Sequence, residues 1–154
     1  MQKDFHVILV EPRIPQNTGN IGRLCVACGA SLHLIHPLGF SISQKEIKRA
    51  GLDYWQYLQV FEWANLKAFW ETFPLSSNHF FLSTKAKKVI FDAPLQNGAF
   101  FYFGREDKGL DSTLLESNST QVYKLPMTKN ARSINLATAV SATLFEGVRQ
   151  SRNY

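Results

Sequence analysis

The chain has 154 residues, 45% of them hydrophobic and 19% charged, with a net charge of +5. That length supports one core and leaves no room for a separate RNA-recognition domain, so residues 1–154 read as a single domain. The basic excess fits a polyanionic partner, with solubility as the plainer account, and the absence of a secretory signal or membrane-length apolar run places the expected protein in the cytoplasm, away from membranes.

Short apolar runs alternate with helix-spaced segments along the chain. Phe5 to Val10 reads as a strand, followed by a helix over 18–28 with Asn17 as its cap. Cys25 and Cys28 share one face of that helix two turns in, beside Leu24, Val26 and Ala27, so they read as small buried hydrophobes rather than a redox pair or metal ligands. Strands follow at 32–35 and 57–61, with a helix over 44–50 between them that carries Lys45, Lys48 and Arg49. A helix over 65–72 leads through the loop Pro74 to Asn78 to a strand at 79–82 and then to Lys85, Lys87 and Lys88. Either basic cluster could meet phosphates or simply be solvated. Strands at 100–103 and 121–125 flank a helix over 111–117, and a final helix spans 133–149.

This alternation predicts an α/β fold, a mostly parallel sheet with helices on both faces and ligands outside the carboxyl ends of the strands. Three polar blocks fall at such ends. The first is Glu11-Pro12-Arg13-Ile14-Pro15-Gln16-Asn17-Thr18-Gly19-Asn20-Ile21-Gly22-Arg23, in which Arg23 projects about one turn past Asn20. The second is Phe103-Gly104-Arg105-Glu106-Asp107-Lys108-Gly109-Leu110, where the glycine turn lacks the Gly-Lys-Ser/Thr of a nucleoside-triphosphate loop. The third, Leu125 to Leu136, gathers Thr128, Lys129, Asn130, Arg132, Ser133 and Asn135 before the last helix, where converging amides make a cradle for a polar ligand. Ser133 can cap that helix or orient a ligand, and Glu106 can order loops, meet a substrate group or place a charge at the helix start near Leu110. No His and Cys positions have metal-ligand spacing, so no metal is expected.

Together these blocks resemble the three signature motifs of the SPOUT superfamily of S-adenosylmethionine-dependent RNA methyltransferases. Leu32 to Phe40 and Ala50 to Trp55 extend the likeness to its minimal branch, the tRNA (cytidine/uridine) 2'-O-methyltransferases that act on the wobble nucleotide. The resemblance implies a deep trefoil knot near the C-terminus, where general rules alone would give an unknotted sheet. It also implies S-adenosylmethionine bound against Leu82, Gly104, Leu125 and Ser133, with Gly104 letting the cofactor approach the backbone. Catalytic positions match at Arg23, Asn20, Glu106 and Asn135, and the implied partners are the tRNA anticodon stem-loop and a second copy of the chain, in a homodimer through the final helix. That helix carries Ile134, Ala137, Val140, Ser141, Leu144, Phe145 and Val148, an apolar stripe wider than one contact needs. Phe145 stands where many relatives have tyrosine, so a phenolic hydroxyl has no role there.

The implied reaction is in-line transfer of a sulfonium methyl to a ribose 2'-hydroxyl. A guanidinium does not deprotonate in proteins, so Arg23 reads as a phosphate or alkoxide stabiliser, and the proton acceptor is unassigned. Two competing classes are a noncatalytic RNA-binding module of the same fold and a 2'-O-methyltransferase acting at another RNA site. An NAD-dependent Rossmann enzyme fails, because no G-x-G-x-x-G follows the first strand.

Overall fold

A computed structural model describes residues 5–42 and 54–151. The predicted helix over 44–50, with Lys45, Lys48 and Arg49, and most of the block from Ala50 to Trp55 lie outside them. Among the described residues seven strands form one sheet, β1 (Phe5–Val10), β2 (Ala30–Ile35), β3 (Val60–Trp63), β4 (His79–Leu82), β5 (Lys88–Val89), β6 (Phe100–Phe103) and β7 (Val122–Lys124). Their order is β3-β2-β1-β6-β4-β7-β5, and every pairing is parallel. The principal helices are α1 (Pro15–Cys28), α2 (Leu66–Thr72), α3 (Ser112–Ser117) and α4 (Leu136–Ser151).

Alternation along each strand sorts side chains between two cores. Val7 and Leu9 of β1 join Ile21 and Cys25 of α1 and Val140 and Leu144 of α4 on one face. Ile8 and Tyr102 join Phe69 of α2 on the other, so helices cover both faces as the alternation predicted. Both thiols are buried and free, and burial raises the pKa of each. Among the described residues no helix is long and apolar enough to cross a membrane, and no group of three or more His, Cys, Asp or Glu could hold a metal ion.

Three local expectations are corrected, and a fourth is given its detail. The strand predicted at 57–61 lies at Val60–Trp63, because its register against Leu32–Ile35 selects those residues, and Trp55–Tyr57 is a 3-10 turn. The first helix begins at Pro15, whose missing N–H costs nothing in a first turn, so Asn17 lies inside the helix and does not cap it. The last helix begins at Leu136, which leaves Ser133 in the preceding loop. The wide stripe of α4 is divided, with Val140 and Leu144 fully buried within this chain and Phe145 54% exposed.

Candidate active site

At the carboxyl end of β1 the chain turns through Glu11, a non-glycine residue at φ 56°, in the left-handed region. This turn presents the amides of Arg13 and Ile14 at the entrance of α1. Helix entrances carry unsatisfied N–H groups, and Ile14, at the cap position, has no side-chain oxygen to accept from them. The carboxylate of Glu106, on the loop after β6, does so instead, accepting from Arg13 N at 2.8 Å and Ile14 N at 2.9 Å. Glu106 is thus a helix-entrance charge as one expectation held, but for α1 rather than for the helix near Leu110.

The same carboxylate accepts from Asn17 Nδ2 at 3.3 Å, and Asn17 Oδ1 accepts from Asn135 Nδ2 at 3.2 Å. Asn135 Oδ1 in turn accepts from the Thr138 amide at 3.3 Å, so Asn135 rather than Ser133 caps α4. One chain of hydrogen bonds therefore joins all three polar blocks. Asn17 is buried at its centre, where local sequence offers it only as a cap and nothing local marks it as a hub.

Gly104, expected to let the cofactor approach the backbone, also meets a demand within the protein. A Cβ there would lie 2.0 Å from the carbonyl carbon of Gly109 and 2.2 Å from the Leu110 amide nitrogen, so the absent side chain is required by the protein's own loop. Gly109, at φ 72°, closes that loop by donating its N–H to Arg105 O at 2.8 Å.

These segments enclose a cavity of about 520 Å³ at the carboxyl ends of β4, β6 and β7. Leu82, Gly104, Leu125 and Ser133 all line it, together with Glu106 and Asn135. Its rim is charged. Lys85 and Lys108 line it, and Arg105 forms a two-point pair with Asp107 at 3.0 and 2.8 Å, which holds the Asp107 carboxyl below its ordinary pKa. Lys85 comes from the basic cluster after β4, whereas Lys88 of that cluster is engaged elsewhere, donating to Thr120 O and lying over the Tyr123 ring.

Asn20 and Arg23 are exposed and do not line this cavity. On an ideal helix Arg23 lies about 9 Å along and about 120° around from Asn17. Its guanidinium carbon sits 4.7 Å from the centroid of the Tyr54 ring, a cation–π contact that holds it on the outer side of α1.

A family model described as the SpoU rRNA Methylase family matches residues 4–145. The chain belongs to the SpoU methylase family. Within it, the tRNA (cytidine(34)-2'-O)-methyltransferase of Acidovorax sp. (strain JS42) is 42% identical over 149 residues, covering 96% of this chain and 92% of that relative. A solved structure described as giving structural insights into the 2-OH methylation of C/U34 on tRNA is 36% identical, covers 99% of both chains and superposes with a TM-score of 0.89. An AdoMet-bound rRNA methyltransferase from Sinorhizobium meliloti shares the fold at 22% identity and a TM-score of 0.84, over 97% of this chain and 57% of that one. The SpoU methylase fold thus accounts for the parallel sheet.

Proposed function

We propose that this protein transfers the methyl group of S-adenosylmethionine to the ribose 2'-hydroxyl of the wobble nucleotide of tRNA, cytidine or carboxymethylaminomethyluridine. The observation that carries this reading is the Glu106–Asn17–Asn135 hydrogen-bond chain, which draws three distant segments around one cavity. The likeness to C34 methyltransferases over nearly the full length supports the choice of substrate.

The lining suits the cofactor chemically. Leu82, Leu125 and Met127 supply apolar surface, and Gly104 and Ser133 supply backbone and hydroxyl groups for the polar ends. Bound there, S-adenosylmethionine supplies an electrophilic sulfonium methyl. Glu106 and Asn135 act by holding the cavity walls, through the α1 entrance and the α4 cap respectively. Arg23 is outside the cofactor cavity and exposed, so its partner is the RNA, where a fixed cation stabilises a phosphate or the charge developing on the ribose oxygen. The anticodon stem-loop is the RNA element engaged. Family membership also implies a knotted return from β7 to α4.

The working form is a homodimer through α4. Thr138, Ala142 and Phe145 recur at helical spacing on its exposed side, and Ile134 just before it is 38% exposed. Phe145→Glu should give a folded monomer by sedimentation, whereas Leu144→Glu, placed in this chain's own core, should unfold it. A wild type that is monomeric at micromolar concentration removes the dimer.

Mass mapping of 2'-O-methylated nucleotides in tRNA from cells lacking the protein tests the function. Loss of methylation at position 34, restored by purified protein and cofactor, is expected. Loss at another RNA position rejects the wobble assignment, and no transfer to any RNA leaves a noncatalytic RNA-binding module.

A further inference from the structure

Arg23 is exposed, and among the described residues its side chain has neither a carboxylate partner nor a hydrogen-bond acceptor. An arginine free to sample its rotamers is a poor stabiliser of charge that develops only in a transition state, because it must be ordered at the moment it is needed. What restrains this one is an aromatic face. Its guanidinium carbon lies over the Tyr54 ring, 4.7 Å from the centroid.

The half-buried ring stands on a fixed base. Tyr54 precedes the 3-10 turn Trp55–Tyr57, and its carbonyl accepts from the Tyr57 amide at 2.9 Å. Leu58, just past the turn, packs against the core that contains Ile21 and Cys25 of α1. It does so where Gly22 has no side chain, since a Cβ on Gly22 would lie 2.7 Å from Leu58 Cδ2. Gly22 is buried and adjoins Arg23, so this close approach brings the turn up beside that arginine. The same segment is tied to β2, where Gln59 O accepts from the Leu32 amide at 2.9 Å and Gln59 Oε1 accepts from Ser31 Oγ at 3.3 Å. Helix and sheet together thus hold the ring that holds the cation.

We propose that Tyr54 is a positioning residue for methyl transfer, fixing Arg23 by its ring face so that the guanidinium meets the RNA with its charge and its N–H edge uncommitted. This rests on the proposed methyl transfer and on the part given there to Arg23. A carboxylate in place of the ring would also fix the side chain, but it would occupy the N–H fork and offset the charge that a phosphate or a developing alkoxide needs. An aromatic face attracts the cation through its quadrupole and uses none of the N–H donors.

The test is single-turnover methylation of tRNA at saturating tRNA and cofactor, beside S-adenosylhomocysteine titrations of the same preparations. Tyr54→Leu should lower the transfer rate about fivefold, the scale of one partly exposed cation–π contact, and leave cofactor affinity unchanged. Tyr54→Phe, which keeps the face, should recover the rate to within about twofold of wild type. In an Arg23→Ala background Tyr54→Leu should cost nothing further, an outcome that packing alone would not give. Replacing Tyr54 by phenylalanines bearing increasing numbers of ring fluorines weakens the quadrupole at nearly constant shape, and the rate should fall stepwise. That series decides the matter if Tyr54→Leu does not fold. The inference alone is overturned if Arg23→Ala is slow but the rate ignores the fluorines, if Tyr54→Phe is as slow as Tyr54→Leu, or if Tyr54→Leu costs as much in the Arg23→Ala background as in wild type. If wild type methylates no tRNA, or Arg23→Ala turns over normally, the reading beneath it fails and takes the inference with it.

Discussion

The two ends of the sheet are built by different physics. At the carboxyl ends, loops from three distant parts of the chain are held by a carboxylate and two amides, and charges crowd the rim. At the amino-terminal ends the order comes from the sheet, whose register stacks rings from neighbouring strands without a formal charge. The first arrangement is assembled by few bonds, so single substitutions should dismantle it. The second is spread over many contacts and should answer mainly to the solvent that protonates its histidines.

Gly104→Ala should have the largest effect at the carboxyl end, because the added carbon collides with backbone that cannot rotate away. We expect destabilisation at or above the top of the roughly 1–3 kcal/mol range for overpacking, with loss of S-adenosylhomocysteine binding by calorimetry. Normal binding would show that the loop is softer than its geometry. Arg23→Ala should lower single-turnover methylation of tRNA by about a hundredfold, the scale of losing one preorganised electrostatic donor, while cofactor affinity stays nearly intact. Near-normal turnover would make Arg23 a bystander.

Glu106→Ala leaves the amides of Arg13 and Ile14 and the Asn17 side chain without their acceptor. A cost of about 1–3 kcal/mol is expected in denaturant titration, with cofactor affinity falling about tenfold. If Glu106→Ala lowers stability but spares affinity, the network shapes the fold and not the cavity.

The smallest effect belongs to the other end and is read against pH. Burial first, and the nearby His6 second, push His33 down to about 3 and His79 down to about 4. The unfolded chain, with imidazoles near their ordinary value of about 6.5, then takes up protons that the folded chain refuses. Stability should be full above about pH 6.5 and fall as the pH drops toward about 4. Calorimetric Tm values across that window should show the decline, and His79→Gln should flatten it. A flat profile in the wild type would mean that the histidines titrate as if exposed.

Sequence revealed most where structure is local. The strands Phe5–Val10, His79–Leu82 and Phe100–Phe103 fall at their predicted bounds, because each is a short apolar run closed by turn-forming residues. The two-residue strand Lys88–Val89 shows in the sequence only as part of a basic stretch, since so short an edge strand leaves no pattern. All four cofactor positions implied by family likeness share one cavity, as do Glu106 and Asn135, whereas Asn20 and Arg23 lie apart from it within one chain. The helix starts differ from those that local sequence predicts for a single reason. Local capping rules nominate Asn17 and Ser133, but the acceptor for α1 lies more than 90 residues away, at Glu106, and Asn135 supplies the cap of α4. No window of sequence contains such a bond.

That distance has a consequence for the order in which the protein is made. Asn17 and Asn135 are separated by 118 positions. At about 5–20 residues per second, a ribosome spends roughly 6–24 s between them, a long interval beside the microseconds in which a helix forms. Throughout it the nascent α1 has an incomplete entrance, and until the loop after β6 emerges it has no carboxylate to close it. The cavity is therefore among the last features to exist, and a chain stalled before Asn135 carries most of the sheet but not a finished site.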